Sequence, residues 1–208
     1  MKKIIIALVL AIFTVGAVDA QQQLSDKETK KIEKSAKKEA KQRAKEGYKS
    51  TPGVKSIEGQ LIYKGKLETL TEDDGVTPKY IFGNGTTKGG TYNAAKLAAM
   101  EAAKLQIAES ISSETAAIIG NTITNDAQAE ISSEKVVANA KTKVAQKLGR
   151  MIPVIEMYRD IDGKKKEVTI TIAYEYRIVK EMAEQVIRKE LEQEAEKLGQ
   201  DVDKLLNL

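Results

Sequence analysis

Residues 151–177, MIPVIEMYRDIDGKKKEVTITIAYEYR, decide the fold. In the second half, Val168, Ile170, Ile172, Tyr174 and Tyr176 alternate with Thr169, Thr171, Ala173, Glu175 and Arg177. That period of two is the mark of a strand with one face in a core. In the first half Met151, Pro153, Ile155 and Met157 alternate in the same way, and Asp160-Ile161-Asp162-Gly163 turns the chain between the two runs. Pro153 has no N–H for a ladder, so it suits the start of a strand or an edge position. The stretch is read as an antiparallel hairpin with one buried face.

Helical patterns flank the hairpin. From Lys180 onward Ile187, Leu191, Ala195, Leu198, Val202 and Leu205 recur at spacings of three or four, with Gly199 as a possible kink. Upstream, Ala94–Ile119 is Ala-rich, with Ala94, Leu97, Ala98, Ala102 and Leu105 on one face and Ala95, Ala99, Ala103 and Ile107 on another. Two apolar faces predict burial on more than one side, with Asn93 as N-cap. Ser112–Asn125 is polar enough to break or fray the helix. A second helix follows through Val137, Ala140, Val144 and Leu148 and closes at Gly149.

Before Asn93 the pattern changes. Tyr80-Ile81-Phe82 reads as a strand after Pro78, and the Gly-rich run Gly83–Lys88 reads as a turn. Asp73-Asp74-Gly75 is a second turn signal, and Ser56 can cap a short helix reaching Leu61 and Leu70. Ser25–Gly47 is a charged helix with Ser25 at its start and Gly47 at its end. Between Asp26 and Lys49 ten residues are Lys or Arg and five are Asp or Glu. Its apolar stripe is thin: Ile32, Ala36, Ala40 and Ala44. Such a stripe buries little, so the helix is expected as an appendage, loosely docked or dependent on a partner. The expected fold is α+β: a small antiparallel sheet of about three strands, Ala-rich helices packed on one face, and a charged N-terminal helix. The chain divides into a signal peptide (1–20), a charged helical arm (21–50), a connector with short elements (51–78) and an α+β domain (79–208).

Residues 1–20 carry the signal-peptide pattern. Lys2 and Lys3 precede an uncharged run from Ile4 to Val18, and Val18 and Ala20 are small residues placed for cleavage after Ala20. Fifteen residues rise only about 22 Å as a helix, against a hydrocarbon core of about 30 Å. The expectation is export to the periplasm, with the protein remaining there, associating with the outer membrane or being secreted. The 208 residues contain no Cys, no His and no Trp. Disulfides, a lipid-anchoring cysteine, an imidazole base and a Cys/His zinc site are thereby excluded. The formal net charge of +4 is too mild to call for nucleic acid.

Motifs for chemistry fail on inspection. Gly83–Lys88 departs from the dinucleotide fingerprint at its sixth position, and Gly89 stands where a phosphate loop needs Ser or Thr. Its backbone amides could still cradle an anion. Asp160–Gly163 places its Gly fourth, not sixth, and is followed by three lysines, against a calcium loop. No cofactor and no metal are expected.

The run Gly83-Asn84-Gly85, the helix Ala94–Leu105 and the strand Gly149-X-X-Ile152-X-Val154 together resemble the small-lipoprotein superfamily. It includes the twenty-kilodalton outer-membrane lipoproteins and the N-terminal domain of flagellar assembly protein T. The residues are similar also to exported proteins of gut Bacteroidetes. The resemblance covers roughly residues 78–190 and rests on structural Gly and Ala. It implies a non-enzymatic envelope component and supplies no catalytic residues. Family lipoproteins carry an acylated Cys, which this chain lacks.

The expected function is a non-enzymatic envelope role, by binding an envelope protein or glycan or as a structural component. The docking surface would be the sheet face of Thr169, Thr171, Glu175 and Arg177, or the C-terminal helix, which could also self-associate. The alternative is peripheral attachment to anionic envelope surfaces through Lys30, Lys34, Lys37, Lys38 and Lys41. Enzyme chemistry by paired carboxylates or Ser–Lys has no supporting motif.

Overall fold

The structure, a computed structural model, describes residues 24–122, 133–149, 151–161 and 164–197. The signal-peptide reading, the Asp162-Gly163 part of the hairpin turn, and Leu198, Gly199, Val202 and Leu205 lie outside these residues. In chain order the elements are α1 (Asp26–Lys45), β1 (Lys49–Ser50), α2 (Ile57–Glu68), β2 (Tyr80–Gly89), α3 (Tyr92–Thr122), α4 (Ser133–Lys147), β3 (Ile152–Ile161), β4 (Lys165–Glu175) and α5 (Tyr176–Lys197). The strands form one antiparallel sheet in the order β1-β3-β4-β2. The α+β class holds, and the two-residue β1 makes the sheet four-stranded.

The hairpin is β3 and β4, but both of its faces are buried. Val168, Ile170 and Ile172 join α3, α4 and α5 in the larger core, while Ala173, Val154, Ile155 and Met157 join α1 and α2 in a second one. The strict alternation of β4 hid this, because Thr171 and Ala173 are small enough to be covered by a helix. The predicted alternation of β3 breaks at a register shift between Pro153 and Ile155. Pro153, exposed, sits at this bulge, and Val154 and Ile155 are consecutively buried. Tyr176 is not a strand residue; it opens α5.

The Gly-rich run predicted as a turn is the middle of β2. Gly83 and Gly85 face α3, and a Cβ on them would lie 2.1 Å from the Ala103 carbonyl oxygen and 1.9 Å from that of Ala99. Here glycine serves close approach of helix backbone to strand, a role that composition alone reads as a turn. Ala95, Ala99, Ala103, Ile107 and Ile111 form the buried stripe of α3. The other predicted face is open: Leu97 is 65% and Leu105 41% exposed. The N-cap is Thr91 rather than Asn93, since the Ala94 N–H donates to Thr91 Oγ1 at 3.2 Å. Nor does α3 break at Ser112, because Ser112 and Thr115 are fully buried. The apolar stripe of α5 packs within the chain through Leu191.

On the other side of the sheet α2, capped by Ser56 as expected, packs against β3, and α1 packs against α2. Ile32 fits against Gly65, where a Cβ would come 2.6 Å from its Cγ2. The edge of β3 beyond β1 is closed by the Gln60 amide, which accepts from the Glu156 N–H (2.6 Å) and donates to the Glu156 carbonyl (3.2 Å). That side chain stands in for a strand residue at an exposed edge.

Candidate functional site

The site follows from how α1 is held. Ser25 and Glu28 form a reciprocal capping box, which fixes the start of the helix. At its end Gly47 adopts φ +87°, and the Gly47 and Tyr48 N–H groups donate to the Ala44 and Arg43 carbonyls at 3.1 and 2.9 Å. This Schellman turn drops Tyr48 into the second core. There its hydroxyl donates to Glu167 Oε1 at 2.6 Å, and the Arg159 guanidinium lies 4.9 Å from its ring centre. Arg159 Nε also donates to Glu167 (2.7 Å), and Lys88 lies 3.8 Å away. The Tyr48 hydrogen bond and the nearby cations hold the Glu167 carboxyl below its usual range against the opposing effect of burial. Burial, together with this carboxylate, pushes the Tyr48 phenol up.

With one side of α1 against α2, its lysines are sorted away from that contact, Lys31 lying at the margin where it also rims the groove between the two helices. At 100° per residue, Lys27, Lys30, Lys31, Lys34, Lys37, Lys38, Lys41 and Lys45 fall within about 60° of a common midline. All eight are exposed, and none forms an ion pair among the described residues. The acids Asp26, Glu28, Glu33, Glu39 and Glu46 fall about 80° or more from that midline, on the two shoulders. The mixed composition thus conceals a single-sign face about 27 Å long, from Lys27 to Lys45. Spacing i,i+4 sets Asp26 before Lys30, Glu33 before Lys37 and Glu39 before Arg43, and of these three pairs only Glu39–Arg43 closes, at 3.3 Å. Arg43 faces away from the lysines, its guanidinium 5.8 Å from the Tyr48 ring centre. The five lysines singled out from sequence, Lys30, Lys34, Lys37, Lys38 and Lys41, all belong to this face.

Other candidate groups are engaged with neighbours. Glu156 accepts from Lys96 Nζ at 2.8 Å and from the Tyr92 hydroxyl, which also meets Thr51 Oγ1 at 2.9 Å. Burial pushes the Glu156 carboxyl up, but the Lys96 and Tyr92 hydrogen bonds and the Lys96 charge bring it below its usual range. Buried Glu190 bonds to Lys143. Of the expected sheet surface, Thr171 is 2% exposed and bonds to Asn84 Oδ1 at 2.7 Å. Thr169 is half-buried and paired with Thr86, while Glu175 and Arg177 are exposed. The four residues therefore do not form one open face. The Asp73-Asp74-Gly75 turn is closed by Asp74 Oδ1, which accepts from the Val76 and Thr77 N–H groups at 2.9 and 2.8 Å. Between α1 and α2 lies a groove of about 390 Å³ whose rim mixes Glu28, Glu39 and Glu68 with Lys31 and Lys64.

Among the described residues no helix is long and apolar enough to cross a membrane, and no three acidic side chains converge as a metal site would require. What sequence reasoning missed is the Tyr48–Glu167–Arg159 anchor. Its only sequence signal is an aromatic residue directly after a helix-ending Gly. No family model, curated protein or solved structure matches the chain.

Proposed function

We propose that the protein is a non-catalytic binding module of the cell envelope that attaches to an anionic surface through the lysine face of α1. The observation that carries this reading is the eight exposed lysines on one side of a docked helix, none with an ion-pair partner among the described residues. Unpaired surface charge of one sign destabilises the isolated protein slightly by self-repulsion and is relieved by an opposite charge brought from outside. A non-catalytic role is favoured because the partly buried carboxylate Glu156 and the buried carboxylates Glu167 and Glu190 each bond to a cationic side chain. The Lys2-Lys3 start, the apolar run Ile4–Val18 and the small residues Val18 and Ala20 support export with cleavage after Ala20.

The test is retention of the chain from residue 21 onward on a phosphate-bearing cation exchanger under a salt gradient. A variant with Lys30, Lys34, Lys37, Lys38 and Lys41 all changed to Gln is run beside a variant losing five lysines elsewhere. The α1 variant should elute at clearly lower salt than the control variant of equal net charge. Equal elution would show that only net charge matters and would end the proposal.

A further inference from the structure

Resting on that reading, we infer that the anionic surface is the headgroup plane of a lipid bilayer and that α1 lies along it without inserting. Three features of the helix favour a plane over a linear polyanion. First, the acids stand on both shoulders of the lysine crest. A plane tangent to the crest meets only lysines, whereas a strand or groove that wraps the helix meets Asp26 and Glu33 on one side and Glu28 and Glu39 on the other. Second, every cation on the face is Lys, and the helix's one Arg is turned inward toward Tyr48. Lysine is a compact, strongly hydrated point charge suited to diffuse attraction. Specific phosphate recognition on a polymer favours the bidentate fork of Arg. Third, an inserting interfacial helix needs large apolar or aromatic residues beside its cations. Here the one large apolar residue of the stripe, Ile32, packs against Gly65, and among the described residues the exposed large hydrophobics are Val54, Val76, Leu97, Leu105 and Ile178, none of them on α1. The helix cannot roll to present an apolar face without leaving α2.

The experiment uses the chain from residue 21 onward with vesicles of phosphatidylcholine containing graded phosphatidylglycerol, and in parallel with soluble polyphosphate. Vesicle binding should rise steeply with phosphatidylglycerol and vanish at ~1 M salt, where the screening length falls to about 3 Å. Lys34→Gln or Lys41→Gln on the crest should each weaken it about fivefold. Glu33→Gln and Glu39→Gln on the shoulders should leave vesicle binding within about twofold, and a lipid monolayer should show no rise in surface pressure. Tight polyphosphate binding with no vesicle binding overturns the lipid inference and leaves the anionic-surface reading standing. Failure to bind either probe overturns both. Vesicle binding that survives high salt, or a rise in monolayer pressure, overturns the non-inserting geometry.

Discussion

Gly85→Ala tests the packing on which the whole α3 side depends. The added Cβ would lie 1.9 Å from the Ala99 carbonyl oxygen and 2.8 Å from its carbon. Carbon–oxygen contact begins near 3.3 Å, so strand and helix must separate by about 1.4 Å. Overpacking against yielding side chains costs about 1–3 kcal/mol. The obstacle here is helix backbone, which cannot change rotamer, so about 3 kcal/mol is the appropriate figure. Replacing Gly stiffens the unfolded chain and returns about 0.4–1 kcal/mol. The net loss is about 2–3 kcal/mol, or about 4–12 °C in Tm for a protein of this size. Gly90→Ala is the internal control, because a Cβ there meets nothing within 4 Å. It should melt at or slightly above the parent temperature. Thermal and urea unfolding followed by circular dichroism measure both variants. If Gly85→Ala melts within 1 °C of Gly90→Ala, the close approach of α3 to β2 is wrong, and with it the account of this glycine run.

Tyr48→Phe removes the hydroxyl that donates to buried Glu167 and should cost about 2 kcal/mol in urea unfolding; an unchanged midpoint would mean that water or Arg159 replaces the bond without loss. Gly65→Val should push Ile32 away from α2 and free α1, so that trypsin cuts among the α1 lysines well before the sheet domain is digested, while the main thermal transition moves little. Stability should be flat near neutral pH and fall on both sides. The Glu156 and Glu167 carboxyls are held low when folded, so the unfolded chain takes up protons first and their contribution is lost as pH drops below about 4–5. The tyrosines Tyr48, Tyr92 and Tyr176 are raised when folded, Tyr176 to about 12 by burial and the Glu114 carboxylate. Their neutral forms favour folding below about pH 10, and this is lost as pH rises through the folded values. A urea midpoint that keeps rising from pH 9 to pH 12 would contradict this sign.

The parts that were legible have local causes. The β3–β4 hairpin shows through alternation, α1 through Ser25 and Gly47, and α2 through Ser56, because strand period and cap chemistry are written in neighbouring residues. The parts that were hidden have tertiary causes. Gly83 and Gly85 look like turn residues until α3 is placed on them. Thr171 and Ala173 look like an outer face until α2 and the second core cover that side of the sheet. Ser112 and Thr115 look like a helix end until burial of α3 carries the helix past them. The candidate surface was partly legible. Five of its lysines could be named from the sequence, and the five acids interleaved with them along the chain stand on other sides of the helix. Helical spacing separates crest from shoulders; what the chain alone does not give is the choice of which side of α1 meets α2.

That choice is also what turns a lysine-rich segment into a binding surface. An isolated helix of this composition would rotate freely and present acids as often as lysines, and each contact with a charged plane would cost the entropy of orienting it. Here rotation about the helix axis is fixed at three points: Ile32 against Gly65, Ala36 buried at the middle, and Tyr48 anchored to Glu167 and Arg159 just past the end. The anchor lies on strands of the sheet, so the direction of the lysine crest is a property of the whole α+β domain. It follows that loosening the anchor should weaken attachment without touching a single lysine. Tyr48→Ala should lower vesicle binding, and adding Lys34→Gln to it should produce less than the roughly fivefold further loss seen in the parent, since a helix free to turn no longer depends on any one crest position. Strict additivity of the two changes would show instead that α1 binds as an independent peptide.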